Sequence, residues 1–209
     1  KGIRMVNPKE TACPAEPVIL HMEEHDGRLT GIETGFYQIQ FNENGEFSSL
    51  YDIEERRQVL KPGETGNRLI AFEDRPKEYD AWNIDAYYEE KQWDVQGLLE
   101  FKVLENVPLR ACIYVKRQFL ESEIEQYLYF YSHTKRIDFR TRVDWREHQI
   151  LLKTAFPVDV LADKASYEVQ FGNVERPTHR NTSWEQARFE VCAHKWADVS
   201  EYGYGVAVL

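Results

Sequence analysis

The clearest pattern in the chain is an alternation of polar and apolar positions with a period of two. Between residues 137 and 145, every second residue is apolar or threonine, and the residues between them are all charged. Successive side chains of a strand point to opposite faces of a sheet, so this pattern predicts a strand with one buried and one solvated face. We expect Phe139, Val143 and Trp145 to be buried and Arg140 and Arg142 to face solvent.

The same alternation occurs in the segments just before this strand. Residues 99–103, 111–119 and 124–131 each show it, and short polar stretches separate them. Four such segments joined by short turns predict an antiparallel meander, because parallel strands need long crossover connections.

A hairpin is predicted nearer the N-terminus. Alternating segments at Tyr37–Phe41 and Phe47–Tyr51 flank the sequence Asn42-Glu43-Asn44-Gly45. Asn-Gly tolerates a positive φ angle, which tight hairpin turns require.

Helical periodicity is almost absent, so the sequence predicts an all-β fold built as a large antiparallel β-sandwich. We expect the sandwich over residues 31–209 and a connecting segment with at most one strand over residues 1–30, where prolines are frequent. The apolar run Tyr204–Leu209 is typical of a strand and has no closing turn, so we expect the sandwich to be truncated before its last strands.

The net charge and the number of cysteines limit which binding partners and which cellular compartment are expected. The 209 residues carry a formal net charge of -10, and the isoelectric point is near 5.2. Nucleic acids and anionic membranes select basic surfaces, so neither is expected as a partner. No apolar run approaches the roughly 18 residues of a membrane span, and the first residues lack the apolar core of a signal peptide. Three widely spaced cysteines fit a reducing environment, so we predict a cytoplasmic location.

Two segments do not fit the strand-and-turn pattern. The first, residues 67–85, contains several carboxylates close to Trp82, including Asp80. Paired carboxylates beside an aromatic ring are common in carbohydrate sites. A solvated acidic loop whose tryptophan fills the core would explain the same residues.

The second segment, residues 171–190, concentrates Arg176, His179 and Arg180 around Pro177. Arginine forks and imidazoles can bind hydroxyl groups, and Pro177 favours an ordered extended loop. The alternative is a loop held by buried hydrogen bonds. We take Asp80, Trp82, Arg176, His179 and Arg180 as candidate substrate-binding residues on their chemistry.

Both segments resemble the C-terminal region of glycoside hydrolase family 38, the α-mannosidases, in its cytosolic and bacterial branch. The most specific parts are Phe72–Pro76, Asp80–Asp85 and the run from Phe171 to Ser200, and the likeness covers roughly residues 35–209. That branch usually has aspartate where this chain has Asn83, and commonly has aspartate where it has Glu185.

The resemblance implies a β region of a retaining exo-α-mannosidase that hydrolyses terminal α-mannosides, with a fold like the galactose-mutarotase supersandwich. In such enzymes the nucleophile and the zinc ligands lie in an N-terminal barrel, followed by a helical bundle. The resemblance therefore predicts no catalytic residue, no metal ligand and no cofactor within this chain, and no activity of the chain alone. Zinc is expected in the full-length enzyme. The expected partners are an α-mannoside, the catalytic barrel and helical domains, and a second copy of the chain.

Two other functions fit the same pattern. A free-standing carbohydrate-binding module would use Tyr127, Tyr129 and Tyr131 on the solvated face as an aromatic platform. An aldose epimerase-like enzyme would need an acid and base pair in one cleft, for which Glu147 and His148 are poor candidates because neighbours on a strand point to opposite faces.

Overall fold

A computed structural model describes residues 18–22 and 27–209, and the fold it shows is almost entirely antiparallel β. In chain order the strands are β1 Ile19–Met22, β2 Leu29–Glu33, β3 Tyr37–Phe41, β4 Phe47–Asp52, β5 Arg57–Gln58, β6 Arg68–Glu73, β7 Gln92–Asp94, β8 Gly97–Val107, β9 Arg110–Phe119, β10 Ser122–Tyr131, β11 Ile137–Asp144, β12 Ile150–Ala155, β13 Lys164–Val169, β14 Gly172–Pro177, β15 Ala197–Glu201 and β16 Tyr204–Val208. A 3₁₀ helix at Tyr88–Glu90 and one helical turn, α1, at Ser183–Gln186 complete the described part. The prediction of an all-β fold is confirmed.

The described residues divide into two compact units. Unit 1 contains the described residues up to Gln58 together with Val95–Glu147, and unit 2 contains Val59–Asp94 and His148–Leu209. Strand β1 lies within the predicted connecting segment, of which residues 1–17 and 23–26 lie outside the described part. The boundary at residue 31 stays a prediction.

Unit 1 is a sandwich of two antiparallel sheets, with strand orders β1-β2-β3-β4-β5 and β11-β10-β9-β8. Aromatic rings join the facing sheets. Phe41 lies 5.3 Å from Phe101 and 6.4 Å from Phe130 between ring centroids, and Phe47 lies 6.2 Å from Phe130 and 5.7 Å from Phe139. Edge-to-face and tilted pairs at such distances add to the stabilisation that burial itself provides.

The predicted hairpin and meander are both confirmed. Strands β3 and β4 pair across a turn in which Gly45 has a φ of +70° and its backbone N–H donates to the Asn42 carbonyl. Strands β8 to β11 follow one another in both the sequence and the sheet.

The expected burial of Val143 is wrong. Phe139 and Trp145 are partly buried, Phe139 against Phe47 and Trp145 stacked on Phe119 at 5.9 Å, but 41% of Val143 is exposed. Strand β11 forms the edge of its sheet, and the facing sheet covers the end that carries Phe139. Periodicity assigns Val143 to the inner face but cannot show how far the covering layer extends.

A cation is buried inside unit 1. Arg117 is 1% exposed, and its guanidinium donates through Nη1 to Gln126 Oε1 at 2.9 Å and through Nη2 to the Asn44 carbonyl at 2.8 Å. Burial lowers the pKa of Arg117 to about 10, against a smaller opposing effect of Glu46. The side chain thus links strand β9 to the turn of the β3–β4 hairpin.

Strand β8, at the opposite edge of the same sheet, contains two irregularities. Its register to β9 shifts between Leu98 and Glu100 and again between Val103 and Glu105. The extra residues, Leu99 and Leu104, are each half exposed. Bulges of this kind bend an edge strand and interrupt its hydrogen-bonding row.

Unit 2 contains a three-stranded sheet of order β12-β6-β7 and a four-stranded sheet of order β14-β13-β15-β16. Its buried cluster consists of Ile70, Phe72 and Tyr88, against which Leu151 and Phe189 pack. No helix among the described residues is long and apolar enough to cross a membrane.

Candidate functional site

All five candidate residues lie in unit 2, in or beside two loops. Loop A, residues 74–91, connects β6 to β7 and carries Asp80 and Trp82. Loop B, residues 178–196, connects β14 to β15 and carries His179 and Arg180, while Arg176 lies near the end of β14. Apart from the partly buried Arg176, these side chains are exposed, and Trp82 is 84% exposed.

Loop A is closed by hydrogen bonds within itself. Asp85 Oδ2 accepts from the backbone N–H of Lys77 at 2.9 Å and from the Tyr87 hydroxyl at 2.5 Å. These bonds, that from Tyr87 most of all, hold the pKa of Asp85 below its usual value. The Asn83 amide donates to the Glu78 carbonyl at 3.0 Å. An ionised aspartate at this position would have no donor for this bond, so the closing contact depends on the Asn83 amide.

Loop B contains a short helix that the expectation of an extended loop missed. Thr182 is the N-cap of α1: its hydroxyl accepts from the Glu185 backbone N–H, and Glu185 Oε2 accepts from the Thr182 backbone N–H at 2.8 Å. The sequence Thr182-Ser183-Trp184-Glu185 has the spacing of a capping box, which could have revealed the turn. Glu185 Oε2 also lies 3.3 Å from His179 Nδ1, so His179 is engaged at the start of the helix.

The two loops are joined by one bidentate ion pair. Arg180 donates through Nη1 to Glu89 Oε2 at 2.8 Å and through Nη2 to Glu89 Oε1 at 3.0 Å. Hydrogen bonding from Arg180 is the main reason that the pKa of Glu89 lies below its usual value. A paired guanidinium fork fixes the direction as well as the distance of a contact. The Arg180 head is therefore used to connect the loops.

Further contacts connect this ion pair to the core of unit 2. The Tyr88 hydroxyl donates to Glu89 Oε1 at 3.0 Å and accepts from Lys153 Nζ at 2.7 Å, and Lys153 also forms an ion pair with Glu190. Lys153 Nζ lies 4.2 Å from the centroid of the Tyr88 ring. Strand β12, loop A and loop B are thus connected through charges and hydroxyls that the sequence alone did not bring together.

Asp74, at the start of loop A, carries an acceptor without a partner. Its backbone N–H donates to the Gln149 carbonyl at 2.8 Å, but its side-chain Oδ1 is buried and has no hydrogen-bond partner in the described part of the chain. Desolvation, reinforced by the carboxylates of Asp80 and Asp85, raises the pKa of Asp74. An unsatisfied buried acceptor destabilises the folded state.

Replacing Asp74 by asparagine should stabilise the protein at neutral pH. The raised pKa means that the folded state disfavours the carboxylate, so the contribution of Asp74 to stability is present at low pH and is lost as the pH rises through its folded pKa. The asparagine side chain stays neutral throughout. We therefore expect the Asp74→Asn variant to be more stable than the wild type at pH 7, and the gain to shrink below about pH 4.

Chemical denaturation at pH 7 and at pH 3 measures this difference. Glu64→Gln, at an exposed carboxylate of the same unit, is the matched control and should change neither value. A less stable Asp74→Asn variant at pH 7, or a gain that is equal at both pH values, would contradict the assignment.

Glu147, considered above for epimerase chemistry, has a local role. Its Oε1 accepts from the Ser122 hydroxyl at 2.8 Å and from the Glu121 backbone N–H at 3.0 Å, closing the turn between β9 and β10. These contacts give the epimerase alternative no support.

No group of three or more His, Cys, Asp or Glu side chains within residues 18–22 and 27–209 is arranged to hold a metal ion. The family resemblance places the zinc ligands outside this chain, and no chemical step is derived through zinc here.

Comparison with known proteins adds to this geometry. Residues 32–209 match the sequence profile of the glycosyl hydrolases family 38 C-terminal domain. The chain is 40% identical over 185 residues to alpha-mannosidase G of Dictyostelium discoideum, covering 85% of this chain and 17% of that protein. It is 35% identical over 198 residues to human alpha-mannosidase 2C1, covering 94% of this chain and 19% of that protein.

A solved structure shows a similar fold. The crystal structure of an alpha-mannosidase from Enterococcus faecalis V583 matches with a TM-score of 0.66 and 15% sequence identity, covering 85% of this chain and 23% of that one. The chain spans less than a fifth of the length of alpha-mannosidase G and of human alpha-mannosidase 2C1. On the profile match across most of its residues, the chain belongs to the C-terminal domain family of glycosyl hydrolases family 38.

Proposed function

We propose that this chain is the C-terminal β region of a longer retaining exo-α-mannosidase, and that loops A and B contribute to the rim of its sugar site. The observation that carries the rim proposal is the bidentate contact between Arg180 and Glu89. Glu89 and Arg180 are 91 residues apart in the sequence, and their contact joins the two loops whose residue types suggested carbohydrate binding.

The candidate side chains of the two loops have the chemistry that suits a polyhydroxylated ligand. The exposed Trp82 ring can lie against the apolar face of a sugar, and Asp80 can accept from its hydroxyls. Within the described part of the chain, the one hydrogen bond of the Arg176 side chain is a long contact, 3.5 Å, to the Glu175 carbonyl, so its fork is available for vicinal hydroxyls.

The chemical step is assigned to the rest of the enzyme. The nucleophile and the zinc-binding side chains are proposed to lie in the barrel of the longer chain, where zinc would bind sugar hydroxyls. The β region then orients substrate at the rim, and its partners are an α-mannoside and the catalytic barrel and helical domains. Cytoplasmic location and self-association through a second copy stay predictions.

Alanine substitutions in the full-length enzyme test the rim. Arg176→Ala, His179→Ala and Arg180→Ala should be assayed on an aryl α-mannoside. At least one should lower kcat/KM by roughly tenfold or more, because the loss of one good polar contact in the transition state is worth about 1.4 kcal/mol. The melting temperature should remain within a few degrees of that of the wild type.

Glu89→Ala separates two roles of Arg180. If Arg180 touches substrate, Arg180→Ala should lower kcat/KM more than Glu89→Ala does. If Arg180 only holds loop B in place, the two variants should lower kcat/KM equally. Lys164→Ala, which breaks an exposed ion pair with Glu175, is the control and should keep wild-type kinetics. If all three loop variants keep wild-type kinetics, or lose activity only in step with stability, the loops are structural and the rim proposal fails.

A further inference from the structure

The outer face of the β11-β10-β9-β8 sheet in unit 1 carries a depression with a distinct chemistry. Tyr127 and Tyr129 of β10 and Arg140 and Arg142 of β11 line it, and its volume is about 450 Å³. Tyr127 and Arg140 are direct neighbours across the two strands. The volume falls within the range of about 300–1,000 Å³ that is usual for small-molecule sites.

The two arginines differ from the other charged residues near this strand. Asp138 accepts from the Tyr131 hydroxyl at 2.7 Å and pairs with Arg136, and Asp144 pairs with Arg146 at 2.7 Å. Among the described residues, no ion pair engages Arg140 or Arg142. Two unpaired guanidinium groups two positions apart on a strand stand about 7 Å apart at their backbones. On the same face, Glu125 lies directly opposite Arg142, and its Oε1 accepts from the Tyr114 hydroxyl at 3.0 Å. Arg140 lies opposite Tyr127 and not opposite a carboxylate.

The tyrosine rings are held in place by their neighbours. The Tyr127 ring packs on the Tyr114 ring at 5.2 Å between centroids, and the Arg110 guanidinium lies 5.3 Å from the centroid of the Tyr129 ring. Both tyrosines are only partly exposed. Rings that are already fixed lose little conformational freedom when a ligand packs on them, which favours binding.

We propose that this depression binds a sugar ring that carries a negatively charged substituent. The tyrosine rings contact the apolar face of the sugar, and the guanidinium forks of Arg140 and Arg142 hold its phosphate, sulfate or carboxylate by paired hydrogen bonds. A neutral sugar would leave the arginines unused, and a bare anion would leave the rings unused. The site lies in unit 1 and does not depend on the rim that is proposed in unit 2.

Isothermal titration of the purified protein at low ionic strength tests the proposal. The probes are glucose 6-phosphate, galactose 6-sulfate and glucuronate, with glucose, inorganic phosphate and hexaglutamate as comparators. We expect at least one anionic sugar to bind about tenfold more tightly than glucose and than inorganic phosphate. Its binding should weaken as salt is raised, because the anion is held by exposed charges.

Variants locate the binding. Arg140→Gln/Arg142→Gln should weaken binding of the anionic sugar by about tenfold or more, and Tyr127→Leu should weaken it while leaving phosphate unaffected. Arg136→Gln removes a neighbouring arginine that is already paired, and should leave affinity unchanged. Thermal melting of each variant confirms that the fold is retained.

The proposal would be overturned by absence of binding by every anionic sugar, by equal affinity for inorganic phosphate or for glucose, or by unchanged affinity in the double arginine variant. Tighter binding of hexaglutamate than of any anionic sugar would also overturn it, and would show that the face docks an acidic polypeptide.

Discussion

Replacing Arg117 by alanine should lower the free energy of unfolding of unit 1 by about 3–5 kcal/mol, because two hydrogen bonds to a charged group are lost at about 1.5–3 kcal/mol each. The guanidinium is 1% exposed and holds the Asn44 carbonyl and the Gln126 side chain. Alanine leaves both acceptors without this donor and adds a cavity at the centre of the sandwich. Denaturant unfolding followed by fluorescence measures the change.

Two further variants sharpen the Arg117 test. Arg117→Met refills much of the volume but donates no hydrogen bond, so it should be destabilised less than the alanine variant and still fall below the wild type. Arg136→Ala removes an exposed arginine paired with Asp138 and should change stability by less than about 1 kcal/mol. Equal stability of Arg117→Ala and the wild type would show that the guanidinium is dispensable.

Tyr88→Ala should have an effect of similar size in unit 2, about 3–5 kcal/mol, as is usual for truncating a buried aromatic residue. The ring is 6% exposed and lies 5.2 Å from Phe72 and 6.0 Å from Phe189 between centroids. Its hydroxyl bridges Lys153 and Glu89. The alanine variant should therefore both lose core packing and release loops A and B.

Tyr88→Phe separates the two contributions, because it keeps the ring and removes only the bridging hydroxyl. We expect it to lose about 1 kcal/mol, the net value of a typical hydrogen bond. Tyr202→Ala, at a fully exposed tyrosine of the same unit, is the control and should stay within about 0.5 kcal/mol of the wild type. If Tyr88→Ala and Tyr88→Phe lose the same amount, the ring does not anchor the core of unit 2.

The parts of the fold that could be predicted are those encoded by neighbouring residues. The Asn44-Gly45 turn and the alternation of β8 to β11 are local signals, since backbone geometry and side-chain direction repeat along the strand. The capping box at Thr182 and Glu185 is an equally local signal. The prediction of an extended loop rests on Pro177 alone and therefore misses this turn of helix.

The parts that could not be predicted depend on residues far apart in the sequence. Arg180 and Glu89 are separated by 91 positions, and Lys153 and Tyr88 by 65. No sequence periodicity predicts contacts between residues so far apart. The exposure of Val143 depends on where the facing sheet stops. The missing partner of the Asp74 oxygen follows from the packing around it, which a list of carboxylates does not contain.

The sheet that carries β8 and β11 at its edges illustrates how an open β surface avoids growing into a fibril. A flat, apolar edge strand offers free N–H and C=O groups to any passing chain and promotes aggregation. The extra residues Leu99 and Leu104 break that row on one side, while the unpaired charges of Arg140 and Arg142 on the other would repel an identical edge. The irregular strand and the charged strand therefore act as gatekeepers against edge-to-edge polymerisation, one by shape and the other by charge.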